Sequence, residues 1–145
     1  MRVVADSHSL AWFLSRPERL SPPAFAALSG AEVATTAGIG ISAATLIDLW
    51  HATRKATQAV TMDEYQAVKQ IVTDGQNNVE VLAVTAEVAE RYEAVPYPEI
   101  KDPFDRIIVA TAWVARLPLV TANSAIRASR RSWRWVPATG GGRSA

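Results

Sequence analysis

The sequence predicts an α/β fold in which a central, mostly parallel sheet of five strands is covered by helices on both faces. Short apolar runs rich in β-branched residues alternate along the chain with longer segments of helical periodicity. Capping residues and prolines mark where those helical segments begin. Right-handed crossovers between parallel strands then bring the strand C-terminal ends to one edge of the sheet, where open α/β sheets bind ligands.

Each of the five predicted strands is a short apolar run. In chain order they are Met1–Ala5, Gly38–Ser42, Val79–Val84, Leu117–Thr121 and Trp133–Val136. The turn sequence DGQNN precedes the third strand. Because helical segments separate the strands, the pattern indicates parallel β-α units.

Seven helices are predicted between and after these strands. They cover Ser7–Leu14, Ser21–Leu28, Ala43–Ala56, Thr61–Val72, Thr85–Ala94, Asp102–Arg116 and a short segment from about Ser124. Ser21 is followed by two prolines, which are tolerated in a first helical turn. Thr61 and Glu64 have the spacing of a capping box.

Length and composition predict one domain over residues 1–137 and a flexible C-terminal tail over 138–145. The absence of cysteine excludes disulfides, zinc thiolate sites and thiol nucleophiles, and only His8 and His51 are available as imidazole ligands. No apolar run is long enough to span a bilayer, and no signal-peptide pattern is present. A cytoplasmic protein without a membrane partner is therefore predicted.

The charges are strongly polarised along the chain. Residues 1–105 contain all 14 acidic residues, whereas residues 106–145 contain 7 of the 15 basic residues and no acid. This distribution is one way to place a polyanion beside an acidic site. A basic tail that remains solvated explains it equally well.

Three carboxylates and one amide stand where strands end or where helices run: Asp6, Asp48, Asp105 and Asn123. An ionised carboxylate among apolar neighbours costs several kcal/mol unless it is paired or binds a cation. Because the β-α order brings all four residues to one sheet edge, they predict a site for Mg²⁺ or Mn²⁺. Such a site can hydrolyse phosphodiesters.

Each of these residues also has a structural interpretation. Asp6 and Asn123 are suitable helix N-caps. Asp48 could form an ion pair with Arg54 or Lys55, which follow it in the same helix.

Three further residues have supporting roles in this interpretation. Asp102 precedes proline in an N-cap pattern, yet it lies on the same helix face as Asp105, so a cation would relieve their repulsion. Thr121 ends the fourth strand. His8 is a candidate for a second layer around the metal or for the substrate side.

The whole chain, from about Val3 to Val136, resembles a PIN domain, specifically the VapC-type toxins of bacterial toxin–antitoxin pairs. The matching segments are ADSHSLAWFLSRPERLS, ISAATLIDLW, KDPFDRIIVATA and LVTAN. The resemblance implies a PIN-like α/β/α sandwich. It places the family's four acidic positions on Asp6, Asp48, Asp105 and Asn123, where the family usually has glutamate at the second position and aspartate at the fourth.

The resemblance further implies an Mg²⁺- or Mn²⁺-dependent endoribonuclease, a hydrolase that is the toxin of such a pair and is neutralised by a small VapB-like antitoxin. Asp6 and Asp105 are expected to hold the metal together with Asp48. Arginines are expected to contact the RNA, with Arg106, Arg127, Arg130 and Arg131 as candidates. The alternative is a PIN-like protein that binds RNA or a partner with weak or no nuclease activity, because Asp48 and Asn123 depart from the family pattern.

A homodimer with a groove for the antitoxin helix is also predicted. The basis is apolar surface on the N-terminal helices, with Trp12, Phe13, Phe25 and Leu28 as the residues expected to be exposed.

Three other α/β classes fit less well. A phosphorelay receiver requires an aspartate at the end of the third strand, where Thr85 follows instead. A haloacid-dehalogenase-like phosphatase requires an aspartate where His8 stands. A dinucleotide-binding fold requires a Gly-x-Gly-x-x-Gly turn, which is absent from the sequence.

Overall fold

The structure, a computed structural model, describes residues 2–35, 38–57, 59–128 and 135–137. Its sheet has five strands that all pair in parallel, in the order β3-β2-β1-β4-β5. The strands are β1 (Val3–Ala5), β2 (Ile39–Ser42), β3 (Val79–Leu82), β4 (Leu119–Thr121) and β5 (Trp135–Pro137). The predicted α/β fold with a five-stranded sheet is therefore confirmed.

The strand order reverses direction between β1 and β4. From β1 the chain builds outward through β2 and β3 on one side, and β4 and β5 extend the sheet on the other. Crossover helices therefore leave the two central strands toward opposite faces, which opens a crevice at their C-terminal ends. Asp6 follows β1, and Asn123 follows β4 by two residues.

Seven α-helices and one 3₁₀ turn, Pro17–Arg19, surround the described part of the sheet. The helices are α1 (Ser7–Ser15), α2 (Pro22–Val33), α3 (Ala43–Thr53), α4 (Met62–Asp74), α5 (Ala86–Tyr92), α6 (Pro103–Ala115) and α7 (Ser124–Ala128). Side chains cap most of their N-termini. Thr61 and Glu64 form the predicted capping box, which satisfies two otherwise unpaired backbone N–H groups of α4.

Two apolar cores lie on the two faces of the sheet. One contains Val3 and Ile39 with residues of α1 to α4, and the other contains Val4 and Leu119 with residues of α5 to α7. Successive residues of β1 thus point into different cores, as the two-residue period of a strand requires. Burial on both faces explains why the central strands β1 and β4 are nearly continuous apolar runs, whereas the edge strand β3 contains the exposed Glu80.

Several element boundaries differ from the sequence prediction. Helix α2 continues past the predicted end at Leu28 to Val33, with Gly30 inside the helix. Helix α3 ends at Thr53 rather than Ala56. The strand predicted over Val79–Val84 ends at Leu82. The predicted tail over 138–145 and the first two residues of the predicted fifth strand lie outside the described residues.

The expected apolar surface on the N-terminal helices is partly wrong. Trp12 and Leu28 are buried in the core, and Phe13 is half-buried. Of the four residues, only Phe25 is well exposed, with 46% of its surface accessible. Most of the apolar side chains of these helices therefore pack in the core rather than forming an association surface.

Among the helices that the structure describes, none is long and apolar enough to cross a bilayer.

Candidate functional site

A cavity of about 310 Å³ opens at the C-terminal edge of the sheet, at the point where the strand order reverses. It is lined by Asp6, Ser7, His8, Trp12, Asp48, Lys55, Ala59, Asp102, Asp105, Ala122 and Asn123. The structure thus brings Asp6, Asp48, Asp105 and Asn123 to one cavity, together with His8 and Asp102. The β1–α1 connection, the helices α1, α3 and α6, and the β4–α7 connection all contribute residues here.

Asp6 is fixed by two neutral donors. It caps α1, with Oδ1 accepting from the Ser9 backbone N–H at 2.9 Å. Its Oδ2 accepts from the Thr121 hydroxyl at 2.5 Å. Both contacts are buried, so the carboxylate has one orientation in the cavity wall.

A hydrogen-bonded chain continues from Asp6 across β4 to α6. The Thr121 hydroxyl that donates to Asp6 also accepts from the Asn123 backbone N–H at 2.9 Å. The Asn123 side-chain amide then donates to Asp105 Oδ2 at 2.9 Å, while its Oδ1 accepts from the Ile126 N–H of α7. Asn123 is therefore a helix cap and at the same time a hydrogen-bond donor to a cavity carboxylate.

Asp48 projects from the middle of α3 toward α1. The Ser7 hydroxyl donates to its Oδ2 at 2.6 Å. Burial raises the pKa of Asp48, and the negative charge of Asp102 adds to this, while the Ser7 hydrogen bond and the charges of His8 and Lys55 oppose it. Within the described part of the chain, no ion pair joins Asp48 to Arg54 or Lys55.

Asp105 has the most perturbed carboxyl group of the cavity. Burial raises its pKa to about 7, and the charges of Asp102, Asp48 and Asp6 act in the same direction. Burial and the neighbouring negative charges both favour the neutral carboxylic acid, and the positive charge of Lys55 opposes them. A bound cation would lower the pKa of Asp105 instead.

Asp102 combines the two interpretations that its sequence pattern allows. Its Oδ1 caps α6 by accepting from the backbone N–H groups of Phe104 and Asp105 at 2.9 and 3.0 Å. Its exposed side chain also lines the cavity. The cap explains its position, and its charge contributes to the raised pKa of both Asp48 and Asp105.

The donor set is suited to a hard divalent cation that keeps part of its water. Four aspartates line the cavity together with Ser7 and Asn123, and carboxylate oxygens are the ligands that Mg²⁺ and Mn²⁺ prefer. Across the residues that the structure describes, no three carboxylate or imidazole groups form a cluster that could hold one metal ion directly. Mg²⁺ usually binds one or two carboxylates and retains several waters, so the residues fit such an ion.

The buried position of Arg106 does not fit the contact with RNA that the sequence predicted. Its side chain is buried, with only 6% of its surface accessible. The guanidinium donates to the backbone carbonyls of Tyr92, Ile100 and Pro96 at 2.7, 2.9 and 3.2 Å. The planar group therefore fixes the α5–α6 connection from inside the protein.

The other arginines that were predicted to contact RNA have no demonstrated role. Arg127 is half-buried in α7. Arg130 and Arg131 lie outside the described residues.

Sequence reasoning did not identify Ser7, Trp12 and Lys55 as site residues. Lys55 follows Asp48 by seven residues, the spacing of two helical turns, and this was the available signal. Ser7 directly follows Asp6, but a serine there is equally well explained by the start of a helix. Trp12 carries no signal that distinguishes a cavity wall from ordinary core.

Solved structures of low sequence identity share this fold. A VapBC complex from nontypeable Haemophilus influenzae superposes with a TM-score of 0.59 at 15% identity, covering 94% of this chain and 98% of that one. DNA-bound VapBC from Salmonella typhimurium gives 0.60 at 17%, with coverages of 94% and 98%. A toxin–antitoxin complex from Klebsiella pneumoniae gives 0.58 at 22%, with coverages of 92% and 95%. At these identities the likeness establishes the fold.

Similarity in sequence is detected at the level of a family model. No curated protein matches the chain. The model of the PIN domain matches residues 3–131, a span that includes every strand from β1 to β4 and all the acidic residues of the cavity. By this match the chain belongs to the PIN-domain family.

Proposed function

We propose that the protein is a divalent-metal-dependent endoribonuclease and the toxin of a toxin–antitoxin pair. PIN domains generally use divalent metal ions, and PIN-domain VapC proteins are typically nucleases. The observation that carries the proposal for this chain is the cavity at the reversal of the sheet. There, Asp105 lies among three further carboxylates and has a pKa raised to about 7.

Asp6 and Asp105 are the proposed principal ligands, and Asp48 and Asn123 complete the site directly or through water. A divalent ion bound there supplies a polarised phosphoryl oxygen and an activated water for phosphodiester hydrolysis. The contribution of the chain is to hold these oxygens in place. Thr121 fixes Asp6, Ser7 fixes Asp48 and Asn123 fixes Asp105, each through one side-chain hydrogen bond.

Electrostatics favours loading the site near neutral pH. Four carboxylates around one cavity repel one another, and that repulsion is relieved either by protonation or by a cation. Because the pKa of Asp105 lies at about 7, protons compete with the metal below neutrality. Cleavage is therefore expected to increase as the pH rises through neutrality.

We also propose two partners, an antitoxin and a second copy of the chain. The similar structures are VapBC or toxin–antitoxin complexes, which supports a VapB-like antitoxin for this chain. A homodimer is proposed from the family resemblance. Co-purification with the product of a short neighbouring reading frame, and a mass measurement in solution, test these two proposals.

Two positions favour a second candidate function, binding of RNA or a partner with weak or no cleavage. Asp48 is one methylene shorter than the glutamate expected there, and Asn123 lacks the negative charge of an aspartate. The amide of Asn123 also directs an N–H group, rather than an oxygen, at Asp105. All three features weaken direct coordination of a divalent ion by Asp48 and Asn123.

The deciding experiment is cleavage of an RNA panel with Mg²⁺, Mn²⁺ or EDTA. We expect metal-dependent cleavage by the wild type and a loss of at least ~100-fold in Asp6→Asn. Asp63→Asn is the matched control, because Asp63 lies in the first turn of α4, exposed and outside the cavity. A wild-type protein that binds RNA but cleaves no member of the panel with either metal would establish the second function instead.

A further inference from the structure

Three aromatic side chains form a row between α3 and α6 beside the acidic cavity. The ring centroids of Trp50 and His51 are 5.0 Å apart in an edge-to-face arrangement. Those of His51 and Phe104 are 5.7 Å apart with the rings inclined by 37°. We call Trp50, His51 and Phe104 the aromatic row.

The aromatic row is tied to the cavity through the helices that carry the acids. His51 follows Asp48 by three residues in α3 and so lies on the same side of that helix. Phe104 directly precedes Asp105 in the first turn of α6. The aromatic row is therefore carried by the same parts of α3 and α6 as Asp48 and Asp105, while its three rings lie outside the lining of the cavity itself.

The aromatic row is not a part of the apolar core. His51 is exposed and 39% of the Trp50 surface is accessible, while Phe104 is half-buried. Neither core cluster includes any of the three residues. Exposed aromatic side chains near a polar cavity are characteristic of surfaces on which bases stack.

Positive charge accompanies the aromatic row. The Arg54 guanidinium lies 5.1 Å from the centre of the Trp50 ring. Lys55 lines the cavity itself, and its charge lowers the pKa of both Asp48 and Asp105. No ion pair within the described ranges holds Lys55 to an acid, so its ammonium group is available to an anion.

We propose that the C-terminal end of α3 and Phe104 bind the unpaired nucleotide next to the scissile phosphate of a single-stranded RNA. His51 and Phe104 stack on its base, and Lys55 contacts a backbone phosphate. This proposal rests on the proposed nuclease function and names its substrate class. Paired RNA is disfavoured, because the bases of a duplex expose no free face to the rings.

Charge and position favour RNA over a protein partner as the occupant. A basic side chain in the lining of a carboxylate cavity suits a phosphodiester, which must approach the acids despite its own negative charge. Stacking surfaces tolerate any base, so the aromatic row sets preference for unpaired RNA rather than for one sequence.

Binding is measured separately from cleavage, by fluorescence anisotropy with a short single-stranded RNA and the same RNA as a duplex. The full-length Asp105→Asn protein serves as the background, which keeps the RNA intact. We expect His51→Ala and Phe104→Leu each to raise the Kd for single strands about 10-fold and to leave duplex binding unchanged. Phe25→Leu, which removes an exposed ring of α2, is the aromatic control.

A base-deletion arm identifies the stacked nucleotide. An RNA with one abasic position next to the cleavage point should bind the reference protein about 10-fold more weakly, and it should bind His51→Ala with no further loss. Additive losses would mean that His51 and this base do not contact each other. That result overturns the proposed stacking.

Lys55→Ala is tested through the dependence of binding on salt. Loss of one phosphate contact to a single strand should reduce the slope of log K against log salt by about 0.7. Lys69→Ala, which removes an exposed lysine of α4 that does not line the cavity, should leave the slope unchanged. If Lys55→Ala only tightens Mn²⁺ binding and keeps the salt slope, Lys55 neutralises the acids and does not bind RNA.

The outcomes separate this proposal from the nuclease proposal. RNA binding with these dependences, but without cleavage by the wild type, supports the aromatic row and overturns the nuclease. Cleavage that keeps its KM in His51→Ala and Phe104→Leu overturns the aromatic row alone. If the row variants lose only the binding of a co-expressed partner protein, the surface is a protein interface and the RNA proposal is wrong. Melting curves of all variants verify that the fold is retained.

Discussion

Replacing Asp105 by asparagine should stabilise the metal-free protein at alkaline pH, although it removes a residue of the candidate site. Asp105 lies half-buried among Asp6, Asp48 and Asp102, and its carboxyl pKa is raised from 3.8 to about 7. Asparagine has nearly the same shape, and its side-chain oxygen can still accept the hydrogen bond that Asn123 donates. The substitution thus removes the charge and keeps the contact.

The magnitude follows from proton linkage. An acid whose pKa is higher in the folded chain binds more protons in the native state, so stability falls as the pH rises from about 4 to about 7 and then levels off. The pKa difference corresponds to about 4 kcal/mol at full burial. Because Asp105 is only half-buried, solvent screening reduces this, and we expect about 2 kcal/mol at pH 8.5.

Thermal unfolding in EDTA at pH 4.5 and pH 8.5 measures the effect. For a chain of 145 residues, about 2 kcal/mol corresponds to a Tm about 6 °C higher for Asp105→Asn at pH 8.5, with most of the difference lost at pH 4.5. Asp63→Asn should change the Tm little and equally at both pH values. Saturating Mn²⁺ should raise the Tm of the wild type and not that of Asp105→Asn.

Two results would refute this reasoning. The first is an Asp105→Asn protein that is less stable than the wild type in EDTA at pH 8.5. The second is a gain in stability of the same size at both pH values. Either would mean that the carboxylate is adequately solvated or paired and that no unrelieved repulsion exists for a cation to remove.

Three further substitutions test other contacts of the site. Asn123→Asp should lower the stability of the metal-free protein at pH 8 by about 1 kcal/mol, because it exchanges the hydrogen-bond donor to Asp105 for a like charge. It should also tighten metal binding, as measured by calorimetric titration, and weaker metal binding would contradict the proposed ligand role. Thr121→Val should cost about 2 kcal/mol in chemical denaturation, because it removes the buried hydroxyl that donates to Asp6, and an unchanged midpoint would show that the contact is dispensable. Arg106→Lys should lower the free energy of unfolding by about 2–3 kcal/mol, because an ammonium cannot reach three carbonyl groups in the geometry of a guanidinium. The binding of RNA to the folded protein should not change.

The convergence of the acids was predictable because it depends on topology rather than on side-chain detail. Parallel strands joined by helices place every strand end on one edge, and Asp6 and Asn123 stand directly at two such ends. For Asp48 and Asp105 to join them, the two helices that carry these residues need only pass the same edge. The alternation of apolar runs with capped helices in the sequence contains this information.

Arg106 shows where such reasoning fails. An arginine next to a presumed metal ligand suggests contact with phosphate, and nothing local to Arg106 contradicts that suggestion. Its actual partners are carbonyl groups 6, 10 and 14 residues earlier in the chain, in a connection whose course cannot be predicted from periodicity. The periodicity of helices and strands does not predict the contacts that a side chain makes with an irregular segment. The role of Asn123 as a donor to Asp105 was missed for the same reason.

Two of the cavity acids are also helix caps, and this limits what their presence in a sequence can reveal. Asp6 caps α1 and Asp102 caps α6, and loss of such a cap typically costs about 1 kcal/mol of folding stability. Selection for a folded protein alone would therefore retain both residues in a descendant that had lost all catalytic activity. Asp48 caps no helix, and the raised pKa values of Asp48 and Asp105 mean that their charges weaken the metal-free fold. Among related sequences, the persistence of Asp48 and Asp105 rather than that of Asp6 and Asp102 would indicate that a lineage still uses the site.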